Sequence, residues 1–208
     1  MASASPVDTT QEGITAPAGR RVKERPSPLS GQMLPWTHAA FGYLLFLVVA
    51  VLVGRRVSRA ELLAVLAGTQ LADLIDKPLA WWFAVIPSGR SLAHSLLFAI
   101  PLVAAVIAVA WYRAHPEVGL AFGFGYLTHL VGDTYVAIYY WRTEEFTYLL
   151  WPILPPYPYD DFLGFRDFAG RLELTEPVIL LFVGAAVVGV LFLAHFLRAP
   201  WWHTPRSG

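Results

Sequence analysis

The chain has 208 residues, no cysteine, and 15 basic against 15 acidic side chains. With a formal net charge of zero, no excess of basic charge advertises nucleic-acid binding, and the lack of thiols excludes a disulfide frame, a thiolate metal site or a thiol nucleophile. Only 14% of residues are charged and 56% are hydrophobic, whereas ordinary soluble domains carry about 25% charged residues. Apolar runs of about 20 residues, each long enough to cross a hydrocarbon core, recur along the chain. The expected fold class is all-α: a multi-pass transmembrane helical bundle of about five spans.

Residues 1–32 are rich in Ser, Pro, Thr and Gly around Arg20, Arg21, Lys23 and Arg25, and read as a disordered tail. The first apolar run comes too late and is too long for a signal peptide. That run covers 34–54, with Trp36 and Tyr43 near its start and His38 in its first turns. Arg55, Arg56 and Arg59 follow as a basic loop. A second helix is expected over 60–76, apolar until it reaches Asp73 and Asp76. It should end near Lys77, because Pro78 disfavours helix in the residue before it. The stretch 79–86, with Trp81 and Trp82, reads as an interfacial aromatic segment.

A third span is expected over 91–112, opening on Arg90-Ser91-Leu92-Ala93-His94-Ser95 and containing Pro101, which membrane helices tolerate. The fourth, 118–141, holds Gly125-Tyr126-Leu127-Thr128-His129 and, four residues on, Asp133. At i, i+4 the imidazole and the carboxylate share one helix face. At membrane depth such groups are expensive, and they mark a functional site by default. Gly125 and Gly132 lie on the same stripe and let a neighbouring helix approach closely. Residues 142–176 form a connector rich in acids, with a short interfacial helix expected near 144–154. A fifth span covers 177–197, within a transmembrane domain of 33–198, and 199–208 is a polar stub with Trp201 and Trp202.

Following the spans back and forth across the bilayer gathers His38, Asp73, Asp76, His94, His129 and Asp133 in one half, beneath the connector. Three His and three Asp with no Cys suit a divalent metal, zinc first and manganese or iron next, and suit calcium poorly. Ligand pairs at i, i+3 (Asp73, Asp76) and i, i+4 (His129, Asp133) match the spacing by which helical bundles hold metals. Such an ion lowers the pKa of bound water toward neutrality and supplies hydroxide for hydrolysis. Arg90 is placed to stabilise an anionic substrate group. Each residue also has a plainer reading. His38 can bond a headgroup, Asp73 and Asp76 can pair with Lys77 and Arg90, and His129 with Asp133 can clamp two helices. His195 falls on the opposite face, while His115 and His203 lie in a loop and the tail.

Trp36-Thr37-His38-Ala39-Ala40-Phe41-Gly42, Asp73-Leu74-Ile75-Asp76, Ala93-His94-Ser95, the His129/Asp133 motif and Trp151-Pro152 stand in an order that resembles a known family. It is the LexA-regulated, inner-membrane-associated metal-dependent hydrolases of bacteria and archaea, and the likeness covers about 34–155. The chain departs from the family pattern at Ala72, Gly89 and Ala93, where that pattern has Pro, His and Thr. The resemblance implies a multi-pass inner-membrane hydrolase with His and Asp as metal ligands. Taken with the convergence of the spans, it makes Asp73, His94 and Arg90 the expected catalytic set. A likeness of that family to zinc-dependent phospholipase C implies a phosphoester or lipid-like substrate. The rival reading is a small transporter or scaffold that uses the same groups as a proton relay or polar clamp. The inverted repeats that many transporters show are not found. Basic residues nearest the span ends favour an extracytoplasmic site face.

Overall fold

The computed structural model describes residues 34–139, 141–156, 166, 170 and 176–202, and every regular element among them is helical. The N-terminal tail and His203 lie outside the described residues, as does most of 157–175. Helix α1 spans Pro35–Leu52, with Pro35 in its first turn, where a missing N–H costs nothing. Helix α2 spans Arg59–Trp81 and starts on a capping box. Ser58 Oγ accepts from Glu61 N at 3.3 Å, while Glu61 Oε2 accepts from Ser58 N at 2.9 Å. Helix α3 is Leu96–Tyr112, α4 is Pro116–Tyr139, a 3-10 helix follows at Thr143–Leu150, and α5 is Glu176–Arg198.

Helices α2 and α4 form the most extensive pairing, with α1 and α3 packed around them. Their crossing is close because it is made at glycines. A Cβ built on Gly125 would stand 2.3 Å from Val65 O, and one on Gly68 would stand 2.2 Å from Phe122 O. Only glycine allows main chain to lie against main chain in this way. Gly42 of α1 meets Thr69 of α2 at similar range. His38, Asp73 and His129 each lie four residues, one turn, beyond Gly42, Thr69 and Gly125, so these contacts fix the depth at which the polar residues meet. Val65, Ala72, Phe122, Tyr126 and Leu130 fill the apolar core alongside.

Helix α5 packs on α1 through Trp36–Phe182 and Tyr43–Phe192 ring contacts. Its end is tied to the start of α2, where Pro200 O accepts from Arg59 N at 2.7 Å and Leu197 O accepts from the Arg59 guanidinium at 2.7 Å. The stacked rings of His115 and Trp202 lie at that same end. The polar cluster occupies the other.

Two helices among the described residues, Pro35–Leu52 and Val178–Arg198, are long and apolar enough to cross a membrane, while Leu96–Tyr112 is apolar but shorter. The bundle is therefore all-helical as expected, but five spans are not reached by that measure. The physical reason is that α2 and α4 turn Thr69, Asp73, Asp76, Thr128, His129 and Asp133 inward, where they are buried, and so lose hydropathy.

Several boundaries also differ. Helix α2 runs through Pro78 to Trp81, one turn past its expected end, since Trp82 N still finds Pro78 O at 3.0 Å. The third helix begins at Leu96 and not at residue 91, because Ser95 caps it, Ser95 Oγ accepting from Leu97 N at 3.2 Å. Arg90, Ser91 and His94 thus sit in a non-helical loop.

Candidate metal centre

The main anchor of the loop 82–95 is the Asp76 side chain. Asp76, fully buried, accepts from Ser91 N (2.9 Å) and His94 N (3.2 Å) on Oδ2 and from Ala93 N (2.8 Å) on Oδ1. Its Oδ2 also lies 2.8 Å from His94 Nδ1. Tyr126 of α4 adds a hydrogen bond from its hydroxyl to Ala93 O at 2.5 Å. A loop at this depth must satisfy its backbone groups internally, and Asp76 does so for three of them.

His38, Asp73, Asp76, His94, His129 and Asp133 form one connected cluster with Arg90 at its edge, all buried. His94 and His129 face each other, Nε2 to Nε2, at 3.0 Å. Asp133 Oδ2 stands 3.1 Å from His94 Nε2 and 3.6 Å from His129 Nε2. Asp73 Oδ1 stands 3.6 Å and 3.9 Å from the same two atoms. His38 Nε2 reaches Asp133 Oδ1 at 3.3 Å, and its ring lies over that of His129 with centroids 4.1 Å apart. Arg90 Nη2 donates to Asp133 Oδ1 at 2.7 Å, and Lys77 Nζ donates to Asp73 Oδ2 at 2.6 Å.

The donor set can be tested for a metal through its tautomers. His129 Nδ1 lies 2.7 Å from Thr69 O, a carbonyl that can only accept, so Nδ1 carries the proton and Nε2 a lone pair. His94 Nδ1 faces the Asp76 carboxylate, which in the same way leaves its Nε2 as a lone pair. Two lone pairs at 3.0 Å, with two carboxylate oxygens beside them, have no proton to share between neutral rings. Asp133 Oδ2 and both nitrogens of His38 are likewise buried without a well-formed hydrogen bond. The separations of 3.0–3.9 Å bracket the edge of about 3.3 Å expected between ligands of a tetrahedral ion with bonds near 2.05 Å. The set fits a divalent cation. The two triads His38/His129/Asp133 and Asp73/His94/His129 each converge closely enough to hold one. Asp76 stands behind His94 as the carboxylate partner that metal-binding imidazoles usually have.

The 3-10 helix covers this end. Ser95 Oγ donates to Trp151 O at 2.6 Å, and the Tyr148 ring packs edge-on against His94 with centroids 6.2 Å apart. Burial pushes the Tyr148 phenol above its ordinary range, so it stays a neutral hydroxyl. His195 and His115 lie away from the cluster, against Tyr43 and Trp202. Lys77 pairs with Asp73, one of the partners its sequence position offered, whereas Thr69 was not legible as a site residue. Thr69 acts through its backbone, which leaves no mark in sequence, whereas Lys77 stands at i+4 from Asp73, a spacing that pairs side chains on one helix face.

Two apolar helices of membrane length, one of them carrying His38, together with a buried His–Asp cluster suit the class of helical membrane proteins with a candidate metal site. The family model described as YdjM inner membrane protein matches residues 33–204. The chain belongs to the YdjM inner membrane protein family, which places it in the inner membrane and is consistent with the LexA-regulated family resemblance. No curated protein matches the chain, and no solved structure matches it.

Proposed function

We propose that this protein is a membrane-embedded, metal-dependent hydrolase acting on a phosphoester. The observation that carries the reading is the Nε2–Nε2 approach of His94 and His129, each held by a partner on Nδ1, beside Asp73 and Asp133. His94, His129, Asp73 and Asp133 hold the cation, zinc in the first instance, with His38 completing the set through Asp133. When bound, the ion supplies Lewis acidity and makes hydroxide available near neutral pH. Asp76 fixes the loop and the His94 ring, Arg90 orients Asp133 and faces an anionic group, and Tyr148 helps exclude water. Lys77, whose side chain is about a quarter exposed, is the part of the cluster nearest solvent, and substrate would approach from the Asp73 side.

The setting we propose is a bundle of five spans within 33–198, with the connector over an extracytoplasmic site face. Detergent-purified protein should contain zinc after resupply, and His129→Ala and Asp133→Ala should not. Metal at background level in the unaltered protein would end this reading.

One observation favours the rival. A proton on His94 Nε2 would bridge to His129 and Asp133, and Arg90–Asp133 and Lys77–Asp73 would complete a polar clamp without an ion. That clamp would serve a transporter or scaffold, and it holds no metal.

A further inference from the structure

Asp133 and Asp73 divide their oxygens in the same way. Each turns one oxygen inward to the two Nε2 atoms, Asp133 Oδ2 at 3.1 and 3.6 Å and Asp73 Oδ1 at 3.6 and 3.9 Å. Each gives its other oxygen to an organic cation, Asp133 to Arg90 at 2.7 Å and Asp73 to Lys77 at 2.6 Å, although Asp133 Oδ1 also has His38 Nε2 at 3.3 Å. The triads with His38 and with His94 share His129, whose Nδ1 is taken by Thr69 O, so its one free nitrogen serves one ion and the two triads are alternatives. In centres with two metals about 3.5–4 Å apart, such outer oxygens bridge to a second ion. Here a guanidinium and an ammonium already fill those positions. Lys77 is further held over the Trp81 ring, 5.8 Å from its centroid.

Formal charge then limits the ligand. Asp73, Asp76 and Asp133 oppose Lys77 and Arg90, so the cluster carries one net negative charge with its imidazoles neutral. One divalent ion turns this into one net positive charge. A buried site is most stable when its charges cancel, which a single negative charge on the ligand achieves while the water at the centre is still neutral, before hydroxide forms. A second ion would leave three positive charges in the same small volume.

We propose that the centre takes one divalent cation, that Arg90 and Lys77 stand where further cations would bind, and that the ligand is a monoanionic phosphate diester. The proposal rests on the hydrolase reading and sharpens its substrate class. A phosphate monoester, largely dianionic above its second pKa of about 6, overshoots the charge of this centre.

The test uses the full chain in detergent, saturated with zinc and freed of excess. Metal per chain by plasma mass spectrometry should be one. Two or more overturns the one-ion centre and leaves the hydrolase reading standing, whereas none after resupply ends both. Lys77→Met frees Asp73 Oδ2 and should raise bound zinc above one per chain, and Lys77→Arg should not. If Lys77→Met does not fold, Arg90→Met asks the same of Asp133. Unchanged zinc in a folded Met variant overturns the role given to the two cations.

Calorimetry at pH 8 then compares dibutyl with monobutyl phosphate in solution, and phosphatidylglycerol with phosphatidic acid in mixed micelles. The diester should bind about tenfold tighter or better in at least one pair. Preference in the micelle pair alone assigns a lipid source, and preference in the soluble pair alone a water-borne one. Equal or tighter monoester binding in both pairs overturns the charge assignment.

Discussion

His94 Nε2 and His129 Nε2 stand 3.0 Å apart although each ring already has a partner on its Nδ1, Asp76 for one and Thr69 O for the other. Neutral imidazoles so constrained have no hydrogen between them. A cation or an added proton must satisfy both lone pairs. A proton on His94 Nε2 also reaches Asp133 Oδ2 at 3.1 Å, whereas a cation accounts for the inward oxygen of Asp73 as well, which lies 3.6 and 3.9 Å from the two nitrogens.

His129→Ala separates these two possibilities. Its removal deletes one hydrogen bond to Thr69 O and leaves a small buried void. The expected cost is about 1–3 kcal/mol in stability, with bound zinc falling from one per chain to background. Zinc is measured by plasma mass spectrometry and stability by thermal unfolding in detergent. Lower stability with zinc absent from both proteins would favour the polar clamp.

Asp76 is expected to act on metal affinity without touching the ion. Asp76→Asn keeps the volume but can accept on one oxygen only, so it cannot serve Ser91 N, Ala93 N, His94 N and His94 Nδ1 together. Loss of a carboxylate behind a metal-binding imidazole weakens affinity about 10–100-fold. Zinc competition with a chelating dye should show that drop, and circular dichroism should show an intact helical content. Unchanged affinity would mean that Asp76 serves the loop alone.

Much of this site was legible from spacing. His129 and Asp133 at i, i+4 and Asp73 and Asp76 at i, i+3 identified inward faces, and alternation of helices across a bilayer brought them to one end. What spacing could not tell was the division of labour. Asp73 and Asp76 look equivalent in sequence, yet Asp76 spends both oxygens on a loop that the chain's apolar pattern presents as the start of a helix. That loop exists because Asp76 satisfies its backbone from 15 to 18 residues away. Local propensity does not carry such information. Only two helices among the described residues reach membrane-span length and hydropathy where five spans were expected, since α2 and α4 turn polar residues toward each other in the buried interior.

The α2–α4 crossing should be intolerant of a single methyl group. Gly125→Ala places Cβ 2.3 Å from Val65 O, a backbone atom that cannot swing aside. Overpacking of this kind costs about 1–3 kcal/mol. Because His129 lies one turn further on, zinc affinity should fall with stability. Gly189→Ala on α5 is the control, since nothing stands within 4 Å of its added Cβ. Thermal unfolding and zinc competition on both variants check the contrast, and equal behaviour of the two would refute the close-crossing argument.

Ser95 joins the cover to the site, and its removal should loosen the one before the other. Its hydroxyl donates to Trp151 O at 2.6 Å and accepts from Leu97 N at 3.2 Å, so one atom both fastens the 3-10 helix and caps α3. Ser95→Ala loses both, and a cap alone is worth about 1 kcal/mol. None of the cation's proposed ligands is altered, so bound zinc should remain at one per chain. Local opening that becomes 1–2 kcal/mol easier raises the open population about 5–30-fold. Limited proteolysis within 141–156 should accelerate by about that factor while global unfolding moves by only a few degrees. Ser95→Thr keeps the hydroxyl and should restore slow cleavage. Cleavage unchanged in Ser95→Ala would show that the cover is held by Tyr148 packing on His94, and not by this hydrogen bond.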